Sequence, residues 1–193
     1  RAMDIVFSAI GLVMTSPFFL IIAILIKFTD GGPIFYRQVR LTKNGKEFTI
    51  CKFRTMIQNA EKYTGARLAS ENDDRIFPVG KFLRRTRLDE LPQLWNILKG
   101  DMSLVGPRPE RPELAQEIEK EIPEFRYRLK VKAGLTGYAQ IYGKYNTTFY
   151  DKLKLDLTYI CNYSLLLDLK LIIMTPKILA MKESAEGVDD RKV

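Results

Sequence analysis

From Ile5 to Ile26 the sequence runs for 22 residues without a charge, long enough for a helix to cross the hydrocarbon core of a bilayer. A cleaved signal peptide fits poorly: no small-residue cleavage site follows, and Lys27 and Asp30 end the run. A helix buried in a soluble core is the other reading, and the run is long for one. Ser16-Pro17 interrupts it near the middle. An interior proline removes one helical hydrogen bond and crowds the preceding turn, and a neighbouring serine hydroxyl can satisfy a freed carbonyl. Two geometries follow: a kinked span, or a helix–break–helix that enters and leaves by one face. Arg37, Arg40, Lys43 and Lys46 follow the run and put that side on the cytoplasmic face. On these physical grounds alone a span is somewhat favoured over a re-entrant hairpin.

The rest is globular in composition, with 46% hydrophobic and 28% charged residues over 193 positions, enough for one domain with a core. The net charge of +8 suits polyanionic partners: nucleic acid, an anionic membrane surface or phosphorylated substrates. There is no histidine, which excludes Ser-His-Asp and Cys-His catalysis and His-ligated metals. The two cysteines, Cys51 and Cys161, form no CxxC and fit neither a disulfide framework nor a zinc site. Acid–base or nucleophilic work falls to Asp, Glu, Lys, Tyr, Ser or Cys. The chain opens at Arg1 without methionine, as a piece of a longer protein would.

Gly31-Gly32-Pro33 reads as a turn. Residues 33–40 and 47–53 read as strands of a hairpin around Lys43-Asn44-Gly45-Lys46, where Asn-Gly is the turn signal. Residues 59–74 open as helix and end as loop. Leu88, Leu91, Leu94, Trp95 and Leu98 fall at helical spacing, with Asp89 as N-cap, Pro92 in the first turn and Gly100 as the stop. A rigid loop, Gly106-Pro107-Arg108-Pro109, precedes a charged helix over residues 112–121. Residues 148–182 read as two amphipathic helices, the second bent at Pro176; its apolar stretch is too short and too charged to span and suits an interface.

The densest chemistry lies in Arg84-Arg85-Thr86-Arg87-Leu88-Asp89-Glu90. Helix N-termini and guanidinium forks both bind phosphate. A carboxylate among arginines stays ionised, ready to attack phosphorus or to ligate magnesium. The bland alternative is ordinary helix capping by Asp89 and Glu90. Arg108, between two prolines, is held at little entropic cost and reads as a phosphate clamp or as an exposed loop arginine. Lys52 and Arg54 share one strand face and could contact phosphate or water. Gly134-Leu135-Thr136-Gly137, with Gln140 and Lys144, could bring backbone amides to a ligand or be a simple turn; it is neither a Walker nor a Rossmann motif. Asp156 and Asp168 lie on the C-terminal helices. Asp168, in an apolar stretch, needs a partner, and a distant arginine is expected rather than Lys170.

Taken in order, these stretches resemble the monotopic polyprenyl-phosphate phosphoglycosyl transferases of bacteria. They are Ser16-Pro17 in the apolar run, Lys52 to Met56, Arg84 to Gln93, Gly100 to Pro109, Gly134 to Gln140 and Leu166 to Lys170. The resemblance implies an α+β fold, mostly helical with a small β-hairpin. Residues 1–30 would be a re-entrant membrane helix broken at Ser16-Pro17, against the span preferred above. Residues 31–193 would be a cytosol-facing catalytic domain with interfacial helices, such as could be cut from a larger member. Asp89 would be the nucleophile with Glu90 beside it, and Mg2+ would sit at Asp89. Asp89 would attack the sugar-linked phosphorus of a UDP-sugar, releasing UMP, and polyprenyl (undecaprenyl) phosphate would take the phosphosugar. Such a reaction opens exopolysaccharide, capsule, O-antigen or glycoprotein glycan synthesis at the cytoplasmic face of the bacterial inner membrane. Lys52, Arg54, Arg84 and Arg108 would surround the phosphates, and Thr136, Gln140, Lys144 and Asp168 would belong to the substrate site. Lys132-Ala133 stands where the family more often has Arg-Pro, and Lys144-Tyr145-Asn146 is atypical. A homodimer is compatible with interfacial helices. A nucleic-acid-binding module would account for the charge but not for the apolar run, and a membrane-anchored scaffold without catalysis would account for both.

Overall fold

The computed structural model describes residues 1–58, 60, 73–143 and 147–180. The apolar run forms α1 (Ala2–Asp30), a continuous helix closed by Gly31 in the left-handed conformation, φ 70°. The expected break at Ser16-Pro17 is therefore no interruption of the helix. Pro17 has no N–H for the carbonyl of Val13, and Ser16 Oγ donates to that carbonyl instead, at 2.8 Å. The helix is apolar and long enough to cross a membrane by length and composition. Much of its surface is bare: Val13 is 74% and Phe28 88% exposed. Its other side packs on the rest of the chain, where Ile22 and Ile26 are buried with Phe53, Phe77 and Leu83.

The hairpin forms as the Asn-Gly signal predicts. β1 (Phe35–Leu41) pairs antiparallel with β2 (Glu47–Phe53), around a single 3-10 turn over Lys43–Gly45 in which Asn44 and Gly45 take positive φ. Next come α2 (Pro78–Thr86), a 3-10 turn at Leu88–Glu90 and α3 (Gln93–Lys99), closed by Gly100 at φ 103°. The helix-then-loop expected over 59–74 falls almost wholly outside the described residues. The charged helix α4 (Pro112–Glu121) has the predicted bounds. A 3-10 segment over Pro123–Lys130 leads toward the loop region.

A feature without a sequence signal is a two-stranded parallel pair, β3 (Ser103–Val105) with β4 (Gly134–Thr136). Here the two glycine-bearing loops meet backbone to backbone. A Cβ on Gly134 would lie 2.1 Å from the nitrogen of Gly106, and one on Gly137 would lie 2.2 Å from its oxygen. These glycines permit the close approach of the two backbones. After α5 (Tyr138–Tyr142), α6 (Phe149–Cys161) is capped by Thr148, whose Oγ1 accepts from the Asp151 amide. Then α7 (Leu165–Ala180) contains Pro176. The main core joins Phe48 and Ile50 of the hairpin to Leu94 and Ile97 of α3, Leu104 and Val105 of β3, Tyr159 of α6 and Leu171 of α7.

Candidate active site

Three chain segments converge on Glu90. Its Oε1 accepts from Lys52 Nζ of β2 and from Arg108 Nη2 of the loop after β3, each at 2.8 Å, and Arg87 Nη1 lies 3.9 Å away. Burial of Glu90 favours its neutral form, but Arg108 and Lys52 outweigh this and hold the carboxyl well below the usual carboxylate range. Glu90 is thus a fixed anion that gathers cations. Arg108 in turn is kept protonated by the charge of Glu90, and 43% of its side chain remains exposed toward any ligand. Burial pulls the ammonium of Lys52 down, against the upward pull of Glu90.

Asp89 behaves differently. The expectation that it caps the following helix is overturned: it lies inside the 3-10 turn, and α3 begins after Pro92 with no side-chain cap. Its Oδ1 is buried and has no hydrogen-bond partner. Burial first, and then the charge of Glu90, push its pKa up to about 6, while Lys52, Arg87 and Arg84 pull the other way. A buried carboxylate oxygen that serves neither a cap nor an ion pair is costly to fold around. It is also what a nucleophile or a metal ligand needs. No cluster of three or more Asp, Glu, Cys or His that could hold a metal occurs among the described residues. Magnesium commonly takes one or two carboxylates and fills its remaining positions with substrate phosphate and water. The open oxygen of Asp89 fits that mode, whereas Glu90 Oε1 is already occupied by its cations.

The backbone delivers these groups through an unusual turn. Arg87 has φ 57°, a left-handed conformation disfavoured for a side chain with a Cβ. It ends α2 and turns the chain so that Asp89 and Glu90 face inward. Arg84 donates through Nε to Thr55 Oγ1 at 2.8 Å, tying α2 to the segment just beyond Lys52. Its pKa is lowered by burial, against the pull of Asp89.

Other expected site residues lie elsewhere. Arg54 is buried and donates to both carboxylate oxygens of Asp30, at 2.6 Å to Oδ2, and to the carbonyl of Pro33. Thr136 is bonded to Thr175 at 2.7 Å, joining β4 to α7. Asp168 has Tyr159 as its partner, whose hydroxyl donates at 2.8 Å, and not the arginine expected. The arginine goes to Asp156, which accepts from Arg128 Nε and Nη2. Gln140 sits near Gly137 with both amide atoms buried and unpartnered, so a polar role there stays open in the geometry. Lys144 lies outside the described residues. Sequence reasoning left Arg87 out of the site; its place in the basic run before Asp89 was the signal available.

A buried carboxylate pair ringed by cations defines a site that suits anionic ligands, in a chain whose first helix is long and apolar enough to cross a membrane. The chain belongs to the bacterial sugar transferase family, whose model matches residues 1–182. It is 43% identical over 178 residues to a UDP-N-acetylgalactosamine-undecaprenyl-phosphate N-acetylgalactosaminephosphotransferase of Aeromonas hydrophila, covering 91% of this chain and 42% of the relative. It is 42% identical over 182 residues to a UDP-glucose:undecaprenyl-phosphate glucose-1-phosphate transferase of Klebsiella pneumoniae, covering 91% and 38%. It is 36% identical over 189 residues to the exopolysaccharide production protein ExoY of Sinorhizobium fredii, covering 91% and 82%. The chain thus spans about two fifths of the length of the first two relatives.

Proposed function

We propose that this chain carries the catalytic part of an enzyme that moves a sugar 1-phosphate from a UDP-sugar to polyprenyl phosphate, at the cytoplasmic face of the bacterial inner membrane. The observation that carries the reading is the buried, unpartnered Oδ1 of Asp89 beside the cation-bound Glu90. The ionised carboxylate of Asp89 forms a bond to the sugar-linked phosphorus as the bond from that phosphorus to the UMP oxygen breaks. An oxygen of polyprenyl phosphate then attacks the same phosphorus, displacing Asp89 and giving polyprenyl diphosphate sugar. No general base is required, because both nucleophiles are already anions. Arg108, and Lys52 behind it, offset the charge that the diphosphate brings. Magnesium bound at Asp89 would supply further neutralisation of that charge.

The sugars named for the relatives differ, and the donor here is a question for assay. Incubated with a panel of UDP-sugars, synthetic polyprenyl phosphate and Mg2+, the protein should release UMP with one or a few donors. Silence across the panel would leave a membrane-anchored scaffold as the better reading.

The same proposal holds that α1 enters and leaves the membrane by one face, bending at Pro17, where one helical hydrogen bond is missing, without a break in the helix. What supports it is that both ends of the helix are bonded to one body: Asp4 Oδ1 accepts from the amide of Leu104 at 2.9 Å, and Asp30 pairs with Arg54. Single-cysteine labels placed at Arg1 and at Lys43 should both react only from the cytoplasmic side. Opposite accessibilities would restore a spanning helix.

A further inference from the structure

Chain segments that carry or adjoin the proposed active-site groups are fastened by charged side chains of α1 and of Arg1 just before it. The segment after Asp89 and Glu90 is α3, and Arg1 donates to the carbonyls of Ile97 and Leu98 at its end, at 2.7 and 2.6 Å. The segment that leads to Arg108 is β3, and the buried carboxylate of Asp4 accepts from Ser103 Oγ at 2.8 Å and from the Leu104 amide at 2.9 Å. The segment that carries Lys52 is β2, and Asp30 holds Arg54 two residues beyond it through a two-pronged ion pair. None of Arg1, Asp4 or Asp30 has a bond to Lys52, Asp89, Glu90 or Arg108 in these networks. Much of the rest of α1 is apolar and exposed, a surface that suits a bilayer.

We propose that α1 is a positioning element of the active site as well as an anchor. Asp4 and Asp30 are its positioning residues: they hold the Arg108 and Lys52 segments in register around Glu90. This rests on the phosphosugar-transfer reading above. It has a consequence that anchoring alone lacks. The first half-reaction uses a water-soluble donor and needs no lipid substrate, yet it should depend on the bonds at both ends of the membrane helix. A displacement of about 1 Å in such a group can cost on the order of a hundredfold in rate.

The test uses the full chain in phosphatidylethanolamine–phosphatidylglycerol vesicles, with UMP release followed in a single turnover without polyprenyl phosphate. Asp4→Ala and Asp30→Asn should remain in the vesicle fraction and melt cooperatively. Their single-turnover rate constants should fall by roughly ten- to a hundredfold at saturating donor. Asp30→Glu, which keeps a carboxylate for Arg54, should recover most of the rate lost in Asp30→Asn, which a general loss of packing would not do. Single variants that turn over at the wild-type rate while still bound would overturn the proposal. So would losses that follow detachment from vesicles or loss of the melting transition, or an Asp30→Glu protein no faster than Asp30→Asn. Wild-type protein that releases no UMP would sink the transfer reading itself, and the positioning role with it.

Discussion

Replacing Asp89 with asparagine should lower UMP release by about a thousandfold or more, while the protein stays folded and membrane-bound. Asparagine keeps the shape of the side chain but has no anionic oxygen to bond to phosphorus, and losses of that size are usual when a covalent nucleophile is removed. The same variant should be more stable than the wild type at neutral pH. Asp89 titrates near 6 in the folded protein, above its ordinary value of 3.8. With a raised folded pKa, stability is fully present below about 3.8 and is lost as pH rises through about 6, because ionising the buried carboxyl weakens the fold. Asparagine carries no such penalty, so Asp89→Asn should gain about 1–3 kcal/mol at pH 8 in magnesium-free buffer, and the gain should vanish at pH 4. Unfolding in detergent at both pH values, beside the activity assay, checks both halves. A variant that still forms a phosphosugar adduct, or an adduct found on another side chain of the wild type, would end the assignment of Asp89.

Removing Asp156 should strongly destabilise the fold away from the reaction centre. Its carboxylate, only 1% exposed, holds Arg128, which is 5% exposed. The guanidinium also reaches Glu110 at 3.4 Å and the carbonyl of Arg108 at 3.0 Å, and it lies over the ring of Phe125. Asp156→Ala leaves a buried cation without its main partner, which costs about 3–5 kcal/mol. It also loosens the guanidinium that donates to the carbonyl of Arg108, so activity should fall with stability. Replacing both partners, Asp156→Ala with Arg128→Met, should recover much of the lost stability, because an apolar pair leaves no charge buried alone. Denaturant midpoints of the two variants decide the matter; an Asp156→Ala protein within 1 kcal/mol of the wild type would refute it.

What the sequence disclosed and what it hid divide along a physical line. Local signals were readable. Asn44-Gly45 marked the hairpin, Gly100 the end of α3, and Pro112 the start of α4. The run from Arg84 to Glu90 pointed to the site, because charge density is visible without a fold. Pairings across the chain were not readable. Strands of three residues carry almost no periodicity, so the β3–β4 pair has no signature, and its glycines suit a ligand loop or a simple turn equally well on sequence alone. Arg54 and Asp168 were assigned by type and spacing, but their partners, Asp30 and Tyr159, are set by tertiary packing. Asp89 was expected to cap because aspartate before a helix usually does. The 3-10 turn placed it elsewhere and left its oxygen bare.

Arg87 carries a conflict that a designer would meet at once. Glycine at its left-handed position would relax the turn by about 1 kcal/mol, and a search for thermostability alone would choose it. The same exchange would erase a positive charge 3.9 Å from Glu90 and loosen the corner that aims the carboxylate pair. A library selected for heat resistance and one selected for turnover should therefore diverge at this residue.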